Sequence, residues 1–588
     1  MVFPLYCLLA IFFTYPLIFY LSTHMQGAGD GVYFLWELWW FSHSLLRGQN
    51  PIHNNTIFYP AQDVRMVWVT ASNELPAVLL EPLVGPVATY NILVLFNIAL
   101  SGYTAYLLVK YLTKNPLAAF VSGFIYAYSP FHFINAFKGL LNITTWQWIP
   151  LCALAWFQLL EKPCLRKSLL FGIALSLVAL SDVYIFAYSF VLLLPALFLY
   201  GIKKRGLRSL APWTGISLVT FSLLSAPFLQ SFVVMARIST HAQVAGYDVG
   251  MFSQHFLRFV IPYKFHPIWG QYFTWFYPDP YFEASCFIGY IPLALGILAL
   301  YKAKERDVRI FWGVLGGIAL IFSLGPYLHV WDIVTIGSRP VPMPYIILSY
   351  LPFFSFLRLP VRFCIIVMLS LAVLSGLALT RLKNILAYAA LIMGISLEYV
   401  LLFPYPLTDA AIPAFYSRIK NDPSIKAILE LPSGQYGPDD IWNTYKYMYY
   451  QTFHHKPMVS GHTPRVPDGL VEFTHETPLL RELTHPQILL KGDIVPLDME
   501  IVAREGLEIL KKYTIDPIIL HKDKDARDAL SLPELMAIKR LLRRSLGPPD
   551  YEDENVASFR VKSHKPLESR QLLPSIPCLL YTSDAADE

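Results

Sequence analysis

Apolar runs of about 20 residues recur along the first 400 positions, and this repeat constrains the fold more than any other feature. A run of that length makes a helix able to cross the hydrocarbon core of a bilayer. Candidates lie near 2–22, 86–109, 117–134, 144–160, 168–181, 183–200, 210–230, 285–301, 310–325, 361–380 and 385–403, which makes about eleven spans. Composition agrees, since 55% of the 588 residues are hydrophobic and 15% are charged, against about 25% charge in an ordinary soluble chain. The apolar excess excludes intrinsic disorder. The net charge of +5 is spread along the chain, with no basic block dense enough for nucleic acid. Cys7, Cys152, Cys286 and Cys364 lie in or beside apolar runs. They read as packing residues, with no disulfide framework and no CxxC metal site.

Charge sets the orientation. Alternate connections are short and basic: Lys110 and Lys114, then Lys162, Arg166 and Lys167, then Lys203, Lys204, Arg205 and Arg208. Lys302, Lys304, Arg306 and Arg309 follow, then Arg381 and Lys383. The positive-inside rule places these in the cytoplasm, so the run 168–200 must cross twice, with a break at Ser181-Asp182. The N-terminus is then inside, its first run a retained span. The long aromatic connections near 23–85, 231–284 and 326–360 lie outside. In 237–284 the dense Trp, Tyr and Phe suit an interfacial belt.

The chain divides into a membrane body, 1–404, and a polar remainder, 405–577. The remainder alternates short β-branched runs (Ala427–Leu431, Pro517–His521, Val556–Val561) with amphipathic stretches (Asp440–Thr452, Met499–Tyr513, Pro533–Leu546). It reads as one small α/β domain, extracytoplasmic by parity. The tail from Cys578 to Glu588, CLLYTSDAADE, resembles a translated sequencing adapter and is set apart as non-native.

The first outer loop opens GAGDGVYFLWELWW, with Asp30 among Gly27, Gly29 and Gly31. The glycines let the backbone turn and a ligand approach closely. A turn aspartate accounts for the same pattern. Arg358 and Arg362 in LPFFSFLRLPVRF are four apart, on one helix face if helical, where they would hold a phosphate or reach toward headgroups. Asp182 in SDVY stands at the outer end of a span, as a functional carboxylate or as a simple turn residue. Asn142-Ile143-Thr144 matches a glycosylation sequon and receives no role.

A first span followed by an outer loop opening on Gly-Asp resembles the GT-C superfamily of polytopic glycosyltransferases. The stretch GPVATYNILVLFNIALSGYTAYLLVKYLTKN with AAFVSGFIYAYSP, LPFFSFLRLPVRF, and ILELPSG followed by YYQTFHHKPMVSGHTPR carry the same resemblance. Within the superfamily the chain is most similar to bacterial membrane proteins related to those that glycosylate lipoteichoic acid. It is also similar to mannosyl- and arabinosyltransferase-like relatives. The resemblance implies a mainly α, polytopic bundle of GT-C type and transfer of a hexose or pentose from a polyprenyl-phosphate sugar to a glycan or lipid acceptor, with inversion. It implies that Asp30 is the catalytic base and that Arg358 and Arg362 bind the donor phosphate, with or without Mg2+ or Mn2+. A second carboxylate, for acceptor or metal, would come from Glu74, Asp182 or Glu283. Two other classes compete: a transporter or flippase of lipid-linked glycans, and a catalytically silent membrane scaffold. Nearly charge-free span interiors and an elaborate outer face favour the enzyme over the flippase.

Overall fold

Proline, glycine and short polar caps cut the apolar runs into helices. The computed structural model describes residues 2–561 except 28, 62–63, 67–69, 239–248, 278–285, 331–332, 351–358, 434–440, 464–472, 475, 485–495 and 523–529. The tail from Cys578 therefore lies outside the described residues. In chain order the membrane body comprises α1 (Val2–Phe13), β1 (His24–Gln26), α2 (Asp30–Leu46), α3 (Ala71–Val84), α4 (Pro86–Thr113), α5 (Pro116–Ala127) and α6 (Pro130–Phe137). It continues through α7 (Trp148–Glu161) and α8 (Leu165–Ala179), α9 (Val183–Arg205), α10 (Leu207–Ile238), α11 (Tyr290–Lys302) and α12 (Arg306–Ser323). It closes with α13 (Pro360–Arg381) and α14 (Ile385–Tyr399).

Prolines 86, 116 and 130 each open a helix at its first position, where the missing N–H leaves no bond unmade. Asn115 caps α5 by accepting from the N–H groups of Leu117 and Ala118 at 3.0 and 3.1 Å. Asp182 caps α9 by accepting from Ile185 N–H at 2.9 Å. The expected break in the long run at 168–200 therefore falls at 180–182.

The span count differs from expectation. Among the described residues four helices, α4, α9, the α10 segment Leu207–Phe228, and α13, are long and apolar enough to cross a bilayer. A fifth arises if α5 and α6, bent by 41°, count as one. Several other expected spans are shorter helices: Val2–Phe13, Tyr290–Lys302 and Ile385–Tyr399 have 12, 13 and 15 residues. At 1.5 Å per residue such helices fall short of a hydrocarbon core of about 30 Å. Pro16, Gly289 and Asn384 stand at their ends, so apolar run length overstates helix length. The integral membrane character stands.

Burial orders the bundle. The apolar window of α13 is 89% buried, whereas that of Leu207–Phe228 is 17% buried, so α13 is central and α10 peripheral. Close crossings use small residues: a Cβ on Gly123 would meet the Gly102 carbonyl at 2.3 Å and the Tyr6 hydroxyl at 2.1 Å. The basic connections gather at one end. Lys204 pairs with Asp307, Arg205 Nε donates to Leu160 O at 2.7 Å, and Asn115 Nδ2 donates to Tyr388 Oη at 3.3 Å.

Beyond α14 the chain pairs with the segment that follows α1. Strand β2 (Leu407–Asp409) lies antiparallel to β1, with His24 opposite Asp409 and Gln26 opposite Leu407. A four-stranded sheet follows, built from β3 (Ala427–Leu431), β4 (Ile515–His521), β5 (Tyr551–Glu552) and β6 (Val556–Phe559) in the order β3-β4-β6-β5. β3 and β4 are parallel and the other pairs antiparallel. Helices α15 (Ile441–His454), α16 (Pro496–Lys512) and α17 (Leu532–Leu546) accompany it. These elements fall within a few residues of the six stretches expected from sequence. Leu429, Ile518, Ile538 and Phe559 belong to a core of their own, whereas α15 packs into the main core through Tyr445, Tyr447 and Met448. Trp36 Nε1 donates to Gln451 Oε1 at 2.8 Å across 415 residues of sequence, tying α2 to α15.

Candidate functional site

The Asp30 turn is seated by backbone contacts that only glycine permits. Gly27 and Gly29 have φ of +81° and +67°, a region disfavoured for residues with a Cβ. A Cβ on Gly27 would lie 2.7 Å from Phe137 O and 2.9 Å from Gly139 N, and one on Gly31 would lie 2.8 Å from Tyr90 Oη. Gln26 N donates to Asn91 Oδ1 at 3.0 Å. Asn91 Nδ2 donates to the carbonyls of Leu21 and His24 at 2.8 and 2.7 Å. Gln26 Nε2 donates to Ala136 O at 3.0 Å, and Thr408 Oγ1 donates to Gly27 O at 2.8 Å. Asp30 itself opens α2, half-buried, where the helix dipole favours its charge. It lies within electrostatic reach of the Tyr90 hydroxyl.

Asp182 and Arg362 come together beside connection 138–145, which also borders the Asp30 turn. Asn142 Nδ2 donates to Asp182 Oδ2 at 2.7 Å, and the Arg362 guanidinium acts on that carboxylate electrostatically. Arg362 lies over the Tyr184 ring, 4.7 Å from its centroid, and is 5% exposed. Tyr188 Oη donates to Leu359 O at 2.9 Å, fixing the short turn that carries Arg362. Asn142, the sequon asparagine, is buried and serves as a side-chain donor to Asp182.

The helix that carries Glu74 reaches the same region through its Asn73 and Ser72. Asn97 Nδ2 donates to Asn73 Oδ1 at 2.9 Å and to Thr144 Oγ1 at 3.2 Å, while Gln147 Nε2 donates to Asn97 Oδ1 at 2.8 Å. Ser72 N donates to Leu180 O at 2.9 Å. The connection 138–145 thus borders the Asp30 turn through Gly139, Asp182 through Asn142, and the Glu74 helix through Thr144. Arg358 and Glu283 lie outside the described residues.

Glu74 has a buried carboxyl neighbour that the sequence alone does not single out. Glu37 on α2 accepts from Tyr33 Oη at 3.3 Å, and Glu74 accepts from Thr70 N at 3.5 Å. Both are nearly inaccessible, and each leaves its Oε2 buried with no hydrogen-bond partner. Burial pushes Glu74 up to about 8. Burial first, and then the charge of Glu74, pushes Glu37 well above the ordinary carboxylate range. Burial thus favours the protonated form of both carboxyls. Among the described residues no three His, Cys, Asp or Glu side chains form a set that could hold a metal ion. The Mg2+ or Mn2+ implied by the resemblance therefore meets no assembled ligand set there.

No protein-family model and no curated protein sequence matches the chain. Among solved structures, the arabinofuranosyltransferase AftD from Mycobacteria matches with a TM-score of 0.51 at 12% identity, covering 89% of this chain and 35% of AftD. A second AftD structure, of a mutant, gives 0.52 at 12% identity, with 89% and 36% covered. A lower similarity, TM-score 0.49 at 11% identity over 88% of this chain and 69% of that one, extends to the archaeal oligosaccharyltransferase AglB from Archaeoglobus fulgidus. The chain shares the fold of the AftD region it covers. At this identity the likeness is one of fold, and the chain spans about a third of the length of AftD. The Asp30 turn, the helix that carries Glu74, Asp182 and Arg362 stand around one connection, away from the basic end.

Proposed function

We propose that the protein is an integral membrane glycosyltransferase that moves a sugar from a polyprenyl-phosphate donor to an extracytoplasmic glycan or lipid acceptor. The observation that carries the reading is the shared border of connection 138–145, with Gly139 against the Asp30 turn and Asn142 on Asp182, beside Arg362. A proton acceptor and a phosphate-binding cation at one end of an apolar bundle suit a donor whose lipid lies in the membrane and whose reacting carbon lies at its surface.

In this reading Asp30 takes the proton of the acceptor hydroxyl as its oxygen attacks the anomeric carbon. The bond from that carbon to the phosphate oxygen breaks, the anomeric centre inverts, and the phosphate leaves with its added charge held by Arg362. Asp182, held by Asn142, orients the guanidinium. The orientation that goes with it has the N-terminus and the basic end in the cytoplasm. The chain after 404, through its sheet, forms an outer α/β domain ending near 577. Arg358 would add a second phosphate contact, and Glu283 stays a candidate for the acceptor side. Kinship with the lipoteichoic-acid-related proteins belongs to the same proposal.

The test is transfer from polyprenyl-phosphate-linked glucose, mannose and arabinofuranose by the purified full-length protein, with and without Mg2+ or Mn2+. Transfer by the wild type that Asp30→Asn abolishes supports the reading. Undiminished transfer by Asp30→Asn overturns the assigned base. Passage of an intact lipid-linked glycan across vesicles, without bond cleavage, would favour the flippase.

A further inference from the structure

Every residue of α15 except one is buried or half-buried; the exception is Trp442, which is 46% exposed. It stands in the first turn of that helix, against the backbone of Gly29. A Cβ built on Gly29 would come 2.6 Å from Trp442 Cζ3 and 2.7 Å from Cη2, so the indole edge rests where only a glycine can lie. Behind it Tyr445 meets the indole edge-on, with centroids 5.6 Å apart and planes at 78°. Tyr445 in turn packs on Tyr33 at 5.4 Å and on His462 at 4.9 Å. The ring is thus fixed by its neighbours while about half of it stays open to solvent, one residue from Asp30.

A large aromatic held rigid and left exposed beside a reactive carboxylate is a recognition surface. Its chemistry is specific. The C–H face of a sugar ring is apolar and lies flat on an indole, leaving the hydroxyls at the ring edge free to reach a base. The side of approach is also given. Gly27 and Gly31 press the Asp30 turn against Phe137, Gly139 and Tyr90 of the bundle, whereas Gly29 presses it against Trp442. The turn that carries Asp30 therefore lies between the membrane body, which carries Arg362, and an aromatic supplied by the chain beyond the last apolar helix.

We infer that Trp442 is the stacking platform for the sugar ring of a glycan acceptor, and that residues beyond 404 thereby take part in acceptor selection. The inference rests on the glycosyltransferase reading for the direction of transfer, but ring binding can be measured without turnover. Full-length wild type, Trp442→Phe and Trp442→Ala, each checked for unchanged Tm, would be titrated with gluco-, manno-, galacto- and arabinofurano-oligosaccharides by saturation-transfer NMR. At least one series should bind wild type and Trp442→Phe, and bind Trp442→Ala about tenfold more weakly. In turnover the acceptor KM should rise by a similar factor, with kcat and the donor KM little changed. Equal binding by Trp442→Ala, a change confined to the donor KM, or no oligosaccharide bound by wild type would each overturn the inference. Retained transfer by Asp30→Asn would instead overturn the base assignment, leaving the binding result in place.

Discussion

Helix α2 carries two carboxylates seven residues, or about two turns, apart, and they live in opposite environments. Asp30 is at the helix N-terminus, half-buried, on a turn held from both sides by other segments. Glu37 is 4% exposed and faces a second carboxyl, Glu74, rather than a cation. The first stands where a ligand can meet it, whereas burial favours the protonated, neutral form of the second. Acidity along this helix is set by solvent access and by the identity of the neighbour, not by residue type.

The comparison breaks most sharply at Asp30. Asp30→Asn keeps the shape and removes the base, and is expected to lower kcat by roughly 10² to 10⁴ in a transfer assay while Tm stays near wild type. Arg362→Gln should cost at least about a hundredfold in kcat through loss of charge on the leaving phosphate. Asp182→Asn should cost about tenfold to a hundredfold by releasing the guanidinium, and Arg362→Lys should fail to restore the loss because a point charge lacks the planar fork. Gly29→Ala adds a Cβ at a φ of +67° against the Trp442 ring. It should lower Tm by several degrees, equivalent to about 1–3 kcal/mol, and the acceptor KM should rise with it.

The smallest effect tests the other carboxylate. Burial raises Glu74 from 4.5 to about 8, so the folded chain retains a proton that the unfolded chain gives up. That contribution to stability is complete below about pH 4.5 and is lost as pH rises to about 8. The wild-type Tm should therefore fall between pH 5 and pH 8. Glu74→Gln, neutral throughout, should make the profile shallower, with buried Glu37 supplying the slope that remains, and leave activity at pH 7 within about threefold. A catalytic or metal-binding role for the Glu74 carboxylate would instead cost orders of magnitude.

Local signals in the sequence carried a good deal of this. The break at Ser181-Asp182, the glycine-flanked Asp30 and the alternating elements after 404 each follow from side chains acting on their own backbone. Helix length was less legible, because hydropathy continues through Pro16 and Gly289 where the backbone cannot. The site partners were not legible at all. Nothing near Asn142 says that its amide meets Asp182, nothing in α2 says that Glu37 will face Glu74, and Trp442 reads as one aromatic among many. These are long-range contacts fixed by which turns the bundle brings to one end.

The pairing of β1 with β2 and the bond from Thr408 to the Gly27 carbonyl have a consequence for biogenesis. The segment that steadies the Asp30 turn is made after the last apolar helix of the body. A ribosome-bound chain that has made every helix through α14 still holds an open turn, and in the proposed orientation the trailing strand crosses the bilayer to close it. The reactive end is therefore finished late in translation, after the membrane body is already in place.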